Sequence, residues 1–244
     1  MPWPELLGRF GALDVVRDLA KRPLALLDRM IAAGINAPPA SSCGRLFDAV
    51  AAALGLCLAR QAYEGEAAMR LEALVCADAL RTGEGYPFPL LHPLSPIGGE
   101  GWGEGATGGA ASMPSPTKRS ALGPPAPALR ERVASLIDPA AIWQPLLGDI
   151  AAGLPAGVIA ARFHNGLADA VAEMAARLAR VRGADTVALS GGCFQNAVLL
   201  TAVIGRLEAR GLTVLSHAAV PANDGGLALG QAAVAAARLI GGAA

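Results

Sequence analysis

The C-terminal part of the chain alternates short apolar runs with helical segments, and this alternation restricts the fold more than any other feature. Apolar runs over residues 185–190 and 212–216 each precede a helical pattern, one over residues 196–210 and one that continues to Ile240. Neighbouring parallel strands need a crossover connection, which is usually a helix. The sequence therefore predicts an α/β fold with a parallel or mixed sheet.

Before this alternating part, apolar residues recur at helical spacing rather than at strand spacing. Helices are predicted from about Leu46 to Leu58, over residues 66–81, over residues 142–150, and from Pro155 to about Arg180. We therefore expect a helical part over residues 1–92 and an α/β half over residues 129–244.

A glycine- and proline-rich block separates these two parts. It contains 8 Gly and 6 Pro between Pro93 and Pro125, and it has neither helical nor strand periodicity. Such a composition buries too little apolar surface to offset the entropy lost when a chain becomes ordered. Residues 93–128 are therefore predicted to be a disordered insertion.

Composition and charge exclude several classes of protein. The chain has 244 residues, of which 53% are hydrophobic, and its 20 basic and 20 acidic residues give a net charge of zero. A disordered protein needs low hydrophobicity, and a strongly basic nucleic-acid binder needs excess positive charge, so we expect neither. No apolar run approaches the ~20 residues of a membrane-spanning helix. The neutral charge and the short apolar runs predict neither nucleic-acid nor membrane partners. Four scattered cysteines are typical of reduced thiols, so we expect a cytoplasmic protein.

The first candidate site follows the first apolar run, in the segment Ser190-Gly-Gly-Cys-Phe-Gln-Asn196. Two glycines between a strand and a helix bring bare backbone N–H groups close to a ligand, and the helix dipole favours an anion there. Asn196 is placed to cap the helix or to hydrogen-bond a ligand hydroxyl. The same segment fits an ordinary tight turn, since it carries neither a Walker nor a dinucleotide-binding signature. Both interpretations stay open.

The second candidate site follows the second apolar run, in Asn223-Asp224-Gly225-Gly226. An aspartate beside two glycines can hold a cation while the backbone amides face phosphate oxygens. The same residues also fit a capping aspartate followed by turn glycines. Because ligands of α/β proteins bind at the carboxyl ends of the strands, we expect the two glycine pairs to share one crevice.

A third candidate is Asp48, which lies in an otherwise apolar helical stretch before the turn at Gly65. A buried carboxylate needs partners. Asp48 therefore either pairs with Arg45, three residues earlier, or faces a ligand.

A family likeness is carried by five segments in a fixed order. They are SSCGRLFDAVAAALGL, YEGEAAMRLEAL, ARFHNGLADAV, LSGGCFQNAVLL and PANDGGLALGQA. Together they resemble the C-terminal part of the HypF family, the hydrogenase-maturation carbamoyltransferases, over the whole chain except residues 93–128. The domain is similar to that of the tRNA threonylcarbamoyl-adenosine synthases. The resemblance implies the C-terminal portion of an actin/sugar-kinase-like (ASKHA) ATPase fold.

The resemblance also implies a function. Members of the family make carbamoyl-adenylate from carbamoyl phosphate and ATP, and they transfer the carbamoyl group to the C-terminal cysteine of HypE, for the cyanide ligands of nickel–iron hydrogenase. By motif position, Asp224 is implied as a ligand of a divalent metal ion (zinc, iron or magnesium) whose other ligands are absent from this chain. The residues implied to bind the nucleotide or adenylate are Asp48, Gly65, Gly191, Gly192, Asn196 and Gly225.

The sequence departs from the family pattern in ways that bear on activity. The His pair that joins the metal-binding Asp, and the upstream modules of the family, are absent from these 244 residues. We therefore expect a fragment that is inactive alone, with the missing modules in cis or in trans. The alternatives are an inactive remnant or a non-catalytic nucleotide-binding or partner-interaction module. Cys193 fits a covalent carrier or a small residue packed behind the loop, and His164 and His217 fit structural histidines.

Overall fold

The computed structural model describes residues 1–37, 41–91 and 136–241, which contain ten α-helices and four short strands. The predicted insertion over residues 93–128 lies outside the described residues. The helices are α1 (Trp3–Phe10), α2 (Asp14–Ala20), α3 (Leu24–Ala32), α4 (Cys43–Ala53), α5 (Glu66–Ala73), α6 (Ala77–Arg81), α7 (Trp143–Ala151), α8 (Ala156–Arg182), α9 (Ala197–Glu208) and α10 (Leu227–Gly241). The strands are β1 (Leu90–Leu91), β2 (Leu136–Ile137), β3 (Thr186–Ala188) and β4 (Thr213–Leu215).

Helix α8 runs through the middle of the hydrophobic core. It has 27 residues, and large side chains such as Ile159 and Phe163 are fully buried together with alanines on its other faces. Small side chains let neighbouring helices approach closely, and α9 packs along α8. Phe47 and Leu199, which come from opposite sides of the glycine-rich block, belong to the same core. The predicted long helix is confirmed, and it ends where Gly183 adopts a φ of +63°.

One close approach to α8 explains why the second predicted helix was wrong in its middle. The sequence predicted a continuous helix over residues 66–81, but α5 ends at Ala73 and α6 begins at Ala77. Between them the Cys76 N–H donates to the Gly157 carbonyl at 3.0 Å. A Cβ at Gly157 would lie 2.5 Å from the Leu74 carbonyl oxygen, so only glycine allows this crossing.

A second close approach to α8 occurs further along this helix, at Gly166. A Cβ at Gly166 would lie 2.1 Å from the Tyr86 carbonyl oxygen, and a Cβ at Gly85 would lie 2.5 Å from the Gly166 nitrogen. The Tyr86 N–H donates to the Arg162 carbonyl at 3.1 Å, and the Asn165 side chain donates to backbone carbonyls of the crossing segment. The chain around Tyr86 is therefore fixed backbone-to-backbone against α8.

The strands form two small sheets. β3 and β4 pair in parallel, with Thr186 opposite Thr213 and Ala188 opposite Leu215. The prediction of an α/β arrangement is confirmed, although both strands are shorter than the apolar runs that predicted them. β1 and β2 pair antiparallel, and this pairing was not predicted. No helix within residues 1–37, 41–91 or 136–241 is both long and apolar enough to cross a membrane.

His164 lies inside the core, where all of its polar atoms are paired. Its ring packs edge-on against Phe47 at 5.5 Å and beside Phe163. Nδ1 lies 2.7 Å from the Ala160 carbonyl, and Nε2 lies 3.0 Å from Nδ2 of Asn196. A carbonyl only accepts, so the neutral ring carries its proton on Nδ1 and accepts at Nε2. Burial lowers the pKa of His164. The prediction of a structural histidine is confirmed.

We expect Gly166→Ala to destabilise the fold because the new methyl group would overlap the backbone at Tyr86. Overpacking of a tight core contact costs about 1–3 kcal/mol, and here the neighbour is hydrogen-bonded backbone that cannot rotate away. Chemical denaturation measures the change. The matched control is Gly205→Ala in α9, where nothing lies within 4 Å of the added Cβ. That control should be neutral or stabilising by about 0.5–1 kcal/mol. Equal stabilities for the two variants would contradict the contact.

We expect the free energy of unfolding to fall as the pH drops below the ordinary histidine value of 6.5. The folded-state pKa of His164 is lowered, so the unfolded chain binds a proton that the folded chain does not, and the loss continues down to the folded pKa. For one residue the slope is at most about 1.4 kcal/mol per pH unit. Urea denaturation between pH 7.5 and 5.5 should show this component in the parent chain and in His217→Gln. It should be missing from His164→Gln, and an unchanged slope there would refute the assignment.

Candidate functional site

The two glycine-rich loops predicted from the sequence lie side by side. Because β3 and β4 are parallel neighbours, the loops that follow them leave the same edge of the sheet. The Gly191 N–H donates to the Ala222 carbonyl at 2.8 Å, and a Cβ at Gly192 would lie 3.7 Å from the Cβ of Asn223. The two glycine pairs therefore lie at one edge of the sheet, and the crevice expected between them stays a prediction.

Gly191 has a conformation that only glycine adopts. Its φ of 109° and ψ of 154° fall in a region closed to residues with a Cβ. It leads into a single 3₁₀ turn over Gly192–Gln195. The first N–H groups of such a turn, those of Gly192 and Cys193, have no acceptor within the turn. Successive N–H groups of this kind form a concave surface that suits phosphate oxygens.

The N-terminus of α9, in contrast, is already occupied by side chains of the protein. Oδ1 of Asn196 accepts from the Leu199 N–H at 2.8 Å. Oε1 of Glu72, on α5, accepts from the Ala197 N–H at 2.7 Å and from the Val198 N–H at 3.4 Å. The sequence analysis expected bare amides at this helix terminus, and that expectation is wrong because Glu72 fills the anion position. A ligand anion at this edge would contact the 3₁₀ turn instead.

Sequence reasoning missed Glu72, and no local signal identifies it. It is one of two glutamates on α5, and its partners lie 125 and 126 residues further along the chain. Only the packing of α5 against the start of α9 reveals the contact.

Asn196 uses both ends of its side-chain amide inside the protein. Oδ1 caps α9, Nδ2 donates to His164, and the residue is 8% exposed. Of the two roles that the sequence left open, the structure therefore contains the helix cap. Contact with a ligand stays a prediction for Asn196. His217 lies at the surface, where its Nε2 is 2.9 Å from Oγ of Ser190 and links the ends of β3 and β4.

The second loop is capped by a different residue from the one expected. Oδ1 of Asn223 accepts from the Gly225 N–H at 3.0 Å, so the cap is Asn223 and the capping aspartate considered for Asp224 is wrong. Asp224 is exposed, and the Gly225 amide is engaged within the loop. Among the residues that the structure describes, no group of three or more His, Cys, Asp or Glu side chains is placed to hold a metal ion. One carboxylate does not make a metal site, so we derive no step through a metal.

Asp48 is paired in charge but not in hydrogen bonding. Its Oδ2 lies 3.0 Å from Nη1 of Arg45, and the Arg45 side chain is 68% exposed. That oxygen is nevertheless buried and accepts no hydrogen bond from any described residue, because the guanidinium is poorly oriented toward it. A buried acceptor without a donor is rare in folded proteins and needs an explanation. Both alternatives left by the sequence therefore stay compatible with Asp48.

A shallow surface pocket of about 500 Å³ lies beside this ion pair, lined by Arg45 and residues 61–64. Glu66 shapes its wall, since its Oε2 accepts from the Ala62 N–H at 2.5 Å and its Oε1 pairs with Arg70 at 2.7 Å. Gly65 starts α5 with a φ of 82°, a left-handed conformation that favours glycine. The turn at Gly65 and the carboxylate of Asp48 therefore belong to one corner of the molecule.

Two contacts join this corner to the glycine-rich edge. Helix α4, which carries Asp48, contacts the 3₁₀ turn at residues 192–195. Glu72 connects α5 to the start of α9. The structure thus brings the elements that carry the predicted nucleotide residues together around one edge. No described contact joins Asp224 to Asp48.

Comparisons with known proteins identify the family. Residues 7–97 and 110–231 match the family described as "Carbamoyltransferase, Kae1-like Domain, second subdomain". The chain is 42% identical over 243 residues to carbamoyltransferase HypF of Rhodobacter capsulatus, a match that covers 98% of this chain and 26% of that protein. It is 38% identical over 210 residues to carbamoyltransferase HypF2 of Cupriavidus necator, covering 86% of this chain and 24% of that protein.

A solved structure is also similar. The fold matches a crystal structure of full-length HypF in the phosphate- and nucleotide-bound form with a TM-score of 0.67 and 29% identity, over 94% of this chain and 25% of that one. The chain thus spans about a quarter of the length of these relatives. The family resemblance found in the sequence is confirmed, and the chain belongs to the HypF-type carbamoyltransferases, in which it corresponds to the second subdomain of the Kae1-like domain.

Proposed function

We propose that this chain binds the adenylate part of carbamoyl-adenylate at the glycine-rich edge and takes part in transfer of the carbamoyl group to the C-terminal cysteine of HypE. Carbamoyl phosphate and ATP are the substrates from which the adenylate is made. The observation that carries the proposal is the contact between the two glycine-rich loops, with the Gly191 amide bonded to Ala222. The similar full-length HypF structure is described as phosphate- and nucleotide-bound, which supports the same ligand class here.

Transfer of the carbamoyl group requires that the reactants be positioned, and it requires no nucleophilic side chain from this chain. Carbamoyl-adenylate is a mixed anhydride, so AMP is already a good leaving group. The cysteine thiolate of HypE attacks the carbamoyl carbon, the new C–S bond forms, and the bond to the phosphate oxygen breaks to release AMP. The first N–H groups of the turn at Gly192 and Cys193 are suited to hold the phosphate while its negative charge increases. Holding the HypE thiolate in line with the bond that breaks supplies the remaining acceleration of the transfer.

Asp48 and Gly65 are proposed to hold the sugar of the nucleotide. A ribose hydroxyl is a donor of the kind that the buried Oδ2 of Asp48 lacks. The left-handed turn at Gly65 leaves the adjoining pocket without a side chain at that position. Gly225 lies in the second loop, which adjoins the turn at Gly192, and it is proposed to contact the nucleotide from there.

A divalent metal ion is also proposed to bind at Asp224. Asp224 is exposed and would be one ligand of a divalent ion (zinc, iron or magnesium), with the other ligands supplied from outside this chain. The alternatives are an inactive remnant or a non-catalytic nucleotide-binding or partner-interaction module, and none of them would transfer the carbamoyl group. The chain supplied with the missing modules and incubated with carbamoyl-adenylate and HypE should yield HypE with a carbamoylated C-terminal cysteine, detectable by mass, whereas the chain alone should not. Binding without transfer would instead favour a non-catalytic nucleotide-binding module.

We expect Gly191→Ala to weaken AMP binding by about tenfold or more in titration calorimetry, because a Cβ in this conformation costs about 1–3 kcal/mol and displaces the loop. The matched control is Gly183→Ala, which also replaces a glycine of positive φ but lies at the C-terminus of α8. That control should lose stability and keep its affinity for AMP. Equal affinities in all three chains would contradict the site, as would a folded parent chain that does not bind AMP.

We expect Asp48→Asn to weaken AMP binding by about tenfold, because a charged acceptor of a ligand hydrogen bond is lost. The free energy of unfolding should stay unchanged or rise by up to about 1 kcal/mol, since a buried charged acceptor without a donor is removed. Asp78→Asn is the control, since Asp78 forms the same i,i+3 type of ion pair with Arg81 on exposed α6. A variant at Asp48 that loses stability but keeps its affinity would show that the carboxylate is structural.

A further inference from the structure

A groove of about 440 Å³ lies between helix α8 and strand β3, and none of the residues proposed to bind the nucleotide lines it. Its helix wall is formed by Val171, Met174, Ala175 and Leu178, which follow one another at spacings i, i+3, i+4 and i+7. Residues at these spacings share one face of a helix. All four are half-buried. Helix α8 therefore presents an apolar face to the groove.

The opposite wall of the groove is an edge of β3 and not one face of the sheet. Residues 186–189, which are consecutive, all line the groove. Successive side chains of a strand point to opposite faces of its sheet, so a groove that contacts four residues in a row runs along the edge of the strand. Thr186 and Ala188 are exposed there.

The backbone groups on this edge of β3 point away from β4. Among the described residues, β4 is the one strand that pairs with β3. The Asp185 carbonyl and the Leu189 N–H are each bonded to β4 at 2.8 Å. Because alternate residues of a parallel strand bond to the same neighbour, the N–H and C=O groups of Thr186 and Ala188 face the groove. The groove thus combines a row of backbone donors and acceptors with an apolar helix face.

The size of the sheet and the length of the relatives indicate what fills such a groove. A sheet needs three or more strands with an apolar face, or a covering helix, to be stable by itself, and an unpaired edge is a template for another strand. The chain spans about a quarter of the length of its relatives, so most of a HypF-type protein lies outside it. That larger part is the natural source of a further strand.

We propose that the groove is the docking surface for one extended strand from the part of a HypF-type protein that lies outside this chain. The strand joins the sheet beside β3, pairs its backbone with Thr186 and Ala188, and packs apolar side chains at alternate positions against α8. Arg182 is the one charged residue that lines the groove, so an acidic side chain is expected on the strand at the end where β3 begins. The proposal concerns attachment of the missing modules and does not depend on nucleotide binding.

The test builds this chain into a full-length protein. The segment of Rhodobacter capsulatus HypF that aligns with it is replaced by this chain, and amide hydrogen exchange in the chimera is compared with exchange in the separate chain. The amides of Thr186 and Ala188 should exchange at least about tenfold more slowly in the chimera, because the added strand accepts hydrogen bonds from them. The amides of Val187 and Leu189, which face β4, should be protected in both proteins and show that the sheet has formed.

Two results would overturn the proposal. One is fast exchange at Thr186 and Ala188 in a chimera whose Val187 and Leu189 amides are protected. The other is protection of Thr186 and Ala188 already in the separate chain, since a second copy or another segment of this chain would then cover the edge.

Variants of the chimera separate a contact in the groove from a general change in stability. Met174→Lys places a charge against the apolar strand and should restore fast exchange at Thr186 and Ala188, while Val187 stays protected. Met69→Lys is the matched control and should exchange like the parent chimera, because Met69 is 58% exposed on α5 and lies outside the groove. Equal protection of Thr186 and Ala188 in the two variants would show that no strand packs against α8 and would refute the docking surface.

Discussion

The position of the glycine-rich edge depends on how the first amides of α9 are satisfied. The N–H groups of Ala197 and Val198 donate to Glu72 of α5, and the Leu199 N–H donates to Asn196 at the start of α9. Asn196 is in turn held by His164, which is buried on α8 and bonded to its own helix. Since these side chains come from α5, α8 and the loop itself, they fix the start of α9 against the core. Loss of the Asn196 side chain would leave the buried Leu199 N–H without its acceptor.

This arrangement changes where an anion can bind. A free helix N-terminus attracts phosphate because its amides and its dipole act together. Here the carboxylate of Glu72 already neutralises that end, so the available amides are those of the preceding turn. The turn is held between the Ala222 carbonyl and helix α4, and its geometry depends on Gly191. A preorganised anion site requires a loop that is held rigidly on one side and has open amides on the other.

Local patterns in the sequence were enough to predict the repeating elements but not the contacts between them. The periodicity of α8 and the two strand–glycine–helix units were predicted because each is encoded by neighbouring residues. The break between α5 and α6 was missed because its cause is Gly157 on another helix. Glu72 was missed for the same reason, since the local sequence of α5 does not indicate which distant groups its carboxylate binds. The adjacency of the two glycine pairs was predicted because parallel pairing places both strand ends at one edge.

Two features that lower stability lie at the proposed site. Gly191 has a conformation open only to glycine, and the buried oxygen of Asp48 lacks a donor. The core around α8 shows the opposite, since even its buried histidine has both ring nitrogens paired. The proposed nucleotide would satisfy both groups together, because its sugar would supply a donor to Asp48 and its phosphate would supply oxygens to the turn.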